Sequence, residues 1–281
     1  MINTLTLQEA VQKCPAIVAT APSTKASSRY NFIPTSNIID QALKNDWVIR
    51  DARGGKGEHG QHCVSLVHRS QLNVSAEEGF PQLLVTNSHN LSRKFSLSLG
   101  FFRLICSNGL IAPLGMFNSI QPTLHRQNNN LGSITDIVSS LENALGQYGN
   151  VLNNIENMKA RELSEEEKNS LARFAYYARF RYRMSQPKKV DSASILLPRR
   201  AVDQKNDLWS VFNVIQENMT HGGNRIGNGI TRFQDDIRFN QELWTGVDKA
   251  ISFKGEELTT VLKSLFPKKE RTKKIVQAND N

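Results

Sequence analysis

ILLPRRAVDQKNDLWSVFNVIQENMTHGG, residues Ile195 to Gly223, contains the best-marked helix of the chain. Leu208, Val211, Phe212, Ile215 and Met219 recur at helical spacing and predict one apolar face. Asn206 or Asp207 can cap the start with a side-chain oxygen. Gly222-Gly223 provides the stop, because glycine takes positive φ without a Cβ clash. Upstream, Ile195-Leu196-Leu197 is a short apolar run expected to be extended up to Pro198, since a residue before proline avoids the helical region. Arg199-Arg200 then places two fixed charges on an expected exposed joint between the proline and the capped helix.

Reading outward, the residues before about Gln127 have strand texture. Gln61 to Arg69 alternates, with Cys63, Ser65 and Val67 on one side and His62, Val64, Leu66 and His68 on the other. Phe95, Leu97 and Leu99 alternate again, and Tyr30–Ile33, Val48–Arg53, Leu83–Val85, Phe101–Ile111 and Ile120–Leu124 are further strand candidates. Between the first two, Thr35 or Ser36 is expected to cap a helix with Ile38, Ile39, Ala42 and Leu43 turned inward. Beyond Gln127 the period becomes helical. Ile134 to Leu145 and then Val151, Leu152 and Ile155 form one such run. Ser164 and Glu167 make a capping box for a helix to about Met184, and another helix is expected around Asp235–Phe253. Strands followed by helices predict an α+β fold, a mostly antiparallel N-terminal sheet with one or two helices and then a helical C-terminal half. The expected division is an arm and linker over 1–28, the sheet region over 29–126, a helical region packed on the sheet over 127–266, and a basic flexible tail over 267–281.

The chain of 281 residues is 39% hydrophobic and 22% charged, the composition of a globular protein. Cys14, Cys63 and Cys106 are scattered and odd in number, so free thiols and a reducing, cytoplasmic setting are expected. No apolar run is long enough to span a bilayer, no secretory leader is expected, and no membrane partner is expected. The net charge of +9 favours a polyanion.

The charge is clustered. Arg173, Arg179, Arg181, Arg183, Lys188, Lys189, Arg199, Arg200 and Lys205 fall within one stretch, against Asp191 and Asp203. Aromatics are interleaved, among them Tyr176 and Phe180, and helical spacing puts Tyr176, Arg179, Phe180 and Arg183 on one side. Arginine forks grip phosphates and aromatic faces stack on unpaired bases. The structural alternative is that the aromatics pack the helix while the arginines are solvated. The Gly-rich turn Arg53–Gly60 is a second basic feature. It lacks the Lys-Ser/Thr ending of a phosphate-binding loop, and a hairpin turn is the simpler reading. His59, His62, His89, His125 and Cys106 have neither metal-ligand spacing nor matching carboxylates, so no metal and no cofactor is expected. No serine sits in a G-x-S-x-G elbow, and no catalytic residue is assigned.

LLPRR followed by DLWSVFNVIQENMTHGG, with Asn87-Ser88-His89, then GFFRLICSNGLI at Gly100–Ile111 and Tyr30–Thr35, resembles the YfjQ/YafZ/YubP-like family of prophages and plasmids, domain of unknown function 932. That resemblance implies a bacterial protein of a mobile genetic element and carries no catalytic residues over. The expected function is a nucleic-acid-associated accessory protein, with single-stranded DNA as ligand, for strand annealing or protection, acting as a homo-oligomer. The alternatives are an interaction or anti-defence factor acting on a host protein and, behind it, a metal-dependent nuclease.

Overall fold

The computed structural model describes residues 3–28, 30–73, 80–102, 112–113, 120–123, 139, 141–143, 145–180, 190–223 and 225–265. The predicted α+β order is what it shows. Helices α1 (Leu7–Lys13) and α2 (Thr35–Lys44) precede strands β1 (Trp47–Gly54), β2 (His62–His68), β3 (Phe80–Asn87), β4 (Phe95–Phe102), β5 (Ala112–Pro113) and β6 (Ile120–Thr123). These make one antiparallel sheet in the order β1-β2-β3-β4, with β5 and β6 both pairing with β4. The helical half holds α3 (Tyr148–Lys159), α4 (Glu165–Phe180), a single turn α5 (Ser192–Ile195), α6 (Leu208–His221), α7 (Phe233–Ser252) and α8 (Gly255–Leu265). A small hairpin, β7 (Gly222–Gly223) with β8 (Gly227–Asn228), joins α6 to α7.

Strand alternation sends β2 into two layers. Val64 and Leu66 join the main core with Ile49, Leu83, Val85 and the apolar sides of α1 and α2. Cys63 and Leu84 point the other way and pack against Phe233 and Ile237 of α7. Both faces are therefore covered, which is why β2 and β3 are buried almost throughout.

α6 is the centre of the helical half. Asp207 caps it as expected, its carboxylate accepting from the Ser210 N–H at 2.9 Å and the Ser210 hydroxyl at 2.8 Å. The five predicted apolar residues are all buried, but so is every residue from Leu208 to Thr220. Several of the polar side chains find partners inside. The Asn213 amide donates to Trp209 O (2.7 Å), that of Gln216 to Asn240 Oδ1 (3.1 Å), and that of Asn218 to the carbonyls of Ile195 and Leu197 (2.9 Å each). Gly222 closes the helix at φ +77°, where a Cβ would lie 2.1 Å from the Gly227 carbonyl oxygen.

Helix direction follows from the ties between helices. α4 and α6 start together, with the Leu208 N–H donating to Arg161 O (2.8 Å), and end together, with Arg179 donating to Met219 O. α4 and α8 also run side by side. The Gly255 N–H donates to Glu167 (2.8 Å) and the Ser170 and Thr259 hydroxyls are 2.8 Å apart. α7 runs the opposite way: Arg238, near its start, donates to Ala178 O at the end of α4 (3.1 Å). Gly246 makes the α4–α7 approach possible, since a Cβ there would fall 2.4 Å from the Phe174 ring.

Several expectations are corrected. Residues Tyr30–Ile33 are not a sheet strand: Tyr30 makes an isolated bridge and the chain to Pro34 is irregular. No side chain caps α2, because Thr35 is its first residue and turns its hydroxyl to His62, and Leu43 is 37% exposed rather than inward. Ile195–Leu197 is not extended: Asp191 caps α5 by accepting from Ser194, and the helix ends at Ile195, three residues before the proline. Within the expected arm 1–28, α1 starts with a Thr6/Glu9 capping box, and Ala10, Cys14, Ala16 and Ile17 are core. α8 was not anticipated as an element. The predicted β4 extension through residues 103–111, the helix over 134–138, the end of α4 beyond Phe180 and the tail lie outside the described residues.

Candidate nucleic-acid interface

Three arginines of the predicted basic stretch, Arg179, Arg199 and Arg200, turn onto the C-terminal end of α6. A helix ends with four carbonyls that have no partner inside it, and α6 is too buried for water to serve them all. Arg179 donates to Met219 O and to Asn228 O, and its guanidinium also lies 4.8 Å from the Phe180 ring centre. Arg199 donates to Asn218 Oδ1 (2.6 Å) and Gly222 O (2.7 Å). Arg200 grips both oxygens of buried Glu217, at 2.7 and 3.2 Å. The pair Arg199-Arg200 is therefore a clamp on the helix end as well as a charge, and Arg200 is 27% exposed, not solvated.

The aromatic side of α4 is likewise part of the packing. Tyr176 and Phe180 are half-buried against the core, with ring centres 4.9 Å apart, and Tyr177 meets Tyr176 edge-on at 6.2 Å. Arg173 is exposed midway along α4. Lys205 is exposed too, but it precedes Asn206, which pairs with Leu163 and Lys168 at the start of α4. The structure thus separates Lys205 from Arg199 and Arg200 by most of the length of α6. Arg181, Arg183, Lys188 and Lys189 lie outside the described residues.

A second basic region forms around the Gly-rich turn that follows Arg53. The β1–β2 and β3–β4 connections sit at one end of the sheet, tied by Gln61 Nε2 donating to Ser92 O (3.1 Å) and the His89 N–H to His59 O (3.0 Å). They bring Arg53, Lys56, Arg93 and Lys94 to that end. Arg53 also reaches across to the start of α7, bonding Asp51 (3.0 Å) and Asp236 (3.3 Å), while Lys13 of α1 bonds the other oxygen of Asp51 (3.0 Å). Burial pushes the Asp236 carboxyl up to about 6, against the pull of Arg53 and the Asn240 amide. A cavity of about 350 Å³ opens here, lined in part by Lys13, Arg53, Gly54 and Arg232. The one signal in the sequence was the Gly-rich turn after Arg53. Lys13 and Arg232 come from segments 219 positions apart and meet only through the docking of α1 and α7 on β1.

Two histidines of the predicted set, His62 and His89, make core polar contacts. His62 and His89 are fully buried with ring centres 5.0 Å apart. His62 Nδ1 lies 2.9 Å from Gly60 O and Nε2 2.8 Å from the Thr35 hydroxyl. A neutral ring with its proton on Nδ1 satisfies both. His89 Nε2 lies 3.0 Å from Ala16 O. The Asn87-Ser88-His89 segment is a buried hub. The Asn87 amide donates to Ile33 O (2.9 Å) and Thr35 Oγ1 (3.1 Å), Ser88 bonds Arg93 in both directions (2.8 and 2.9 Å), and Tyr30 OH donates to Ser88 O (2.9 Å). His125 and Cys106 lie outside the described residues, among which no His/Cys/Asp/Glu group has metal-binding geometry.

Burial holds the His62 pKa below the usual imidazole value, although the Gly60 carbonyl pulls it up. The unfolded imidazole takes its proton near pH 6.5, and the folded ring does not. Below that pH the unfolded state binds more protons, so stability is lost as pH falls. Asp236 acts in the opposite sense from about pH 6 downwards, because its folded carboxyl is protonated before the unfolded one. Between pH 8 and 6 the parent is therefore expected to lose melting temperature relative to His62→Gln. Parallel melting curves across that range would show a solvated ring.

A family model described as "Domain of unknown function (DUF932)" matches residues 24–244. Over 257 residues, 85% of this chain, the sequence is 26% identical to UPF0380 protein YafZ and 25% identical to UPF0380 protein YfjQ, both of Escherichia coli strain K12. The match covers 89% of each of those proteins. No solved structure matches the chain.

Proposed function

The chain belongs to the DUF932 family, and from that premise we propose that it is a nucleic-acid-associated accessory protein of a mobile genetic element, with single-stranded DNA as its ligand. One observation carries this reading: the positive charge is segregated. Residues 181–189 and 266–281 together hold nine lysines and arginines against two acids. Setting them aside leaves the rest of the chain within two charges of neutral.

The described residues that precede them, Phe180 and Leu265, end α4 and α8 on the same side of the helical half. Counting from the Ser170–Thr259 tie, Phe180 is ten residues further along α4 and Leu265 six further along α8. At 1.5 Å per residue the two helix ends differ by only about 6 Å in height. α7 begins at that end, so the Lys13, Arg53 and Arg232 cluster and the basic loops of the sheet stand beside it. The other end of the bundle is acidic, with Glu165, Glu166, Glu256 and Glu257 exposed in the first turns of α4 and α8. A cationic end opposite an acidic one steers and holds a polyanion by counterion release. The inward-turned aromatics of α4 make phosphate contact the larger part of that binding.

Fluorescence anisotropy with a labelled oligonucleotide tests this. Between roughly 50 and 200 mM salt, affinity for single-stranded DNA is expected to fall about a hundredfold, as about five phosphate contacts require. Binding that is absent at low salt, or flat across the series, sinks the reading. It would favour a host-protein partner, for which the exposed apolar side chains Leu197 and Val202 beside the Arg199-Arg200 clamp speak.

A further inference from the structure

We infer that the cavity between the end of β1, α1 and the start of α7 is a subsite for a phosphate monoester, the group carried by a mononucleotide or by the end of a nucleic-acid strand. The inference deepens the nucleic-acid reading and rests on it for the choice of ligand. Three cations converge on the cavity from three separate elements: Lys13, Arg53 and Arg232. Its volume of about 350 Å³ is within the range of sites that enclose a small ligand.

Arg53 is pre-set for this role. Asp51 and Asp236 fix its guanidinium from two sides, so little side-chain entropy remains to be lost on gripping an anion. The carboxylates are themselves engaged: Asp51 with Lys13 and Arg53, Asp236 with Arg53 and Asn240. An arginine has five N–H donors and a lysine three, so both cations keep donors beyond those contacts. Arg232 is exposed and adds a charge with few constraints on its reach. The backbone agrees with the side chains. α7 is a 20-residue helix whose N-cap is Arg232 and which no side chain caps, and Phe233 and Asp236 of its first turn border the cavity. The N–H groups of such a turn point at an anion placed there.

The test uses the full chain with thymidine 5′-monophosphate, unphosphorylated thymidine, inorganic phosphate, and one single-stranded oligonucleotide made with and without a 5′-phosphate. Isothermal titration is expected to show binding of the monophosphate and none of thymidine. Binding of inorganic phosphate as tight as that of the nucleotide would assign the cavity to free phosphate. Tighter binding of the 5′-phosphorylated oligonucleotide than of its unphosphorylated twin would assign it to strand ends. Arg232→Asp is the discriminating variant. Aspartate is a good N-cap and suits the positive end of a helix, so this protein should melt no lower than the parent. Its affinity for the monophosphate should nonetheless fall at least about tenfold, and Lys13→Ala should weaken it in the same direction. No titratable binding of any phosphate, or equal binding by Arg232→Asp, overturns the inference. If the unphosphorylated oligonucleotide still binds in that case, only the cavity assignment has failed. If the monophosphate binds and no oligonucleotide does, the nucleic-acid reading has failed and the subsite stands.

Discussion

Arg200→Ala is expected to destabilise the protein by about 3 kcal/mol, at the lower end for breaking a buried ion pair because Arg200 keeps some solvent contact. Glu217 is 4% exposed on a helix buried along nearly its whole length, and Arg200 bonds both of its oxygens. Removing the guanidinium takes away both of those bonds from a buried carboxylate. For a chain of this size that corresponds to a melting temperature lower by roughly 6–12 °C. Adding Glu217→Gln to the same protein should recover a good part of the loss, because a neutral amide costs less to bury unpaired than a charge does. Thermal melting of the single and double variants checks both steps. If Arg200→Ala melts like the parent and only its DNA affinity drops, the arginine is a phosphate contact and the clamp has no energetic weight.

Asn87→Ala is expected to cost about 4 kcal/mol. The side chain is fully buried and satisfies three groups at once, donating to Ile33 O and Thr35 Oγ1 and accepting from the Ser88 N–H. Each buried polar group left without a partner costs about 1–3 kcal/mol. The loss also loosens the irregular segment from Tyr30 to Pro34, which has no sheet ladder to hold it. Asn87→Asp separates this hydrogen-bond account from simple cavity formation. It keeps the shape and the acceptor but presents an acceptor to Ile33 O, so it should be at least as damaging as alanine. Denaturant midpoints at unchanged slope measure both. An aspartate variant close to the parent would mean that the hub is wet.

The elements legible in the sequence were those set by near neighbours. Asp207 and Ser210 are three residues apart, as are Ser164 and Glu167, and a cap needs nothing beyond that spacing. Alternation along β2 announced a strand, and the 3.6-residue period from Leu208 to Met219 announced α6. Where a local preference was weak, tertiary contact decided. Met1 to Ala10 reads as a short helical or loose arm, and the bond from Leu5 to Ile49 helps carry its helix, with Ala10 and Cys14, into the core. Ile195 prefers strands, yet an aspartate cap and burial against α6 wound it into a turn.

Charge placement divides the same way. Composition and order alone determined that the chain is basic and that its excess lies in two short segments, because counting charges requires no coordinates. Which arginines serve the fold and which face a ligand was decided only in three dimensions. An arginine side chain is long and carries five donors, so its partner is set by whatever carbonyl or carboxylate the packing brings within reach. Arg199 and Arg200 met the unsatisfied end of a buried helix, whereas Lys13 and Arg232, unremarkable in the sequence, met Arg53 around a cavity.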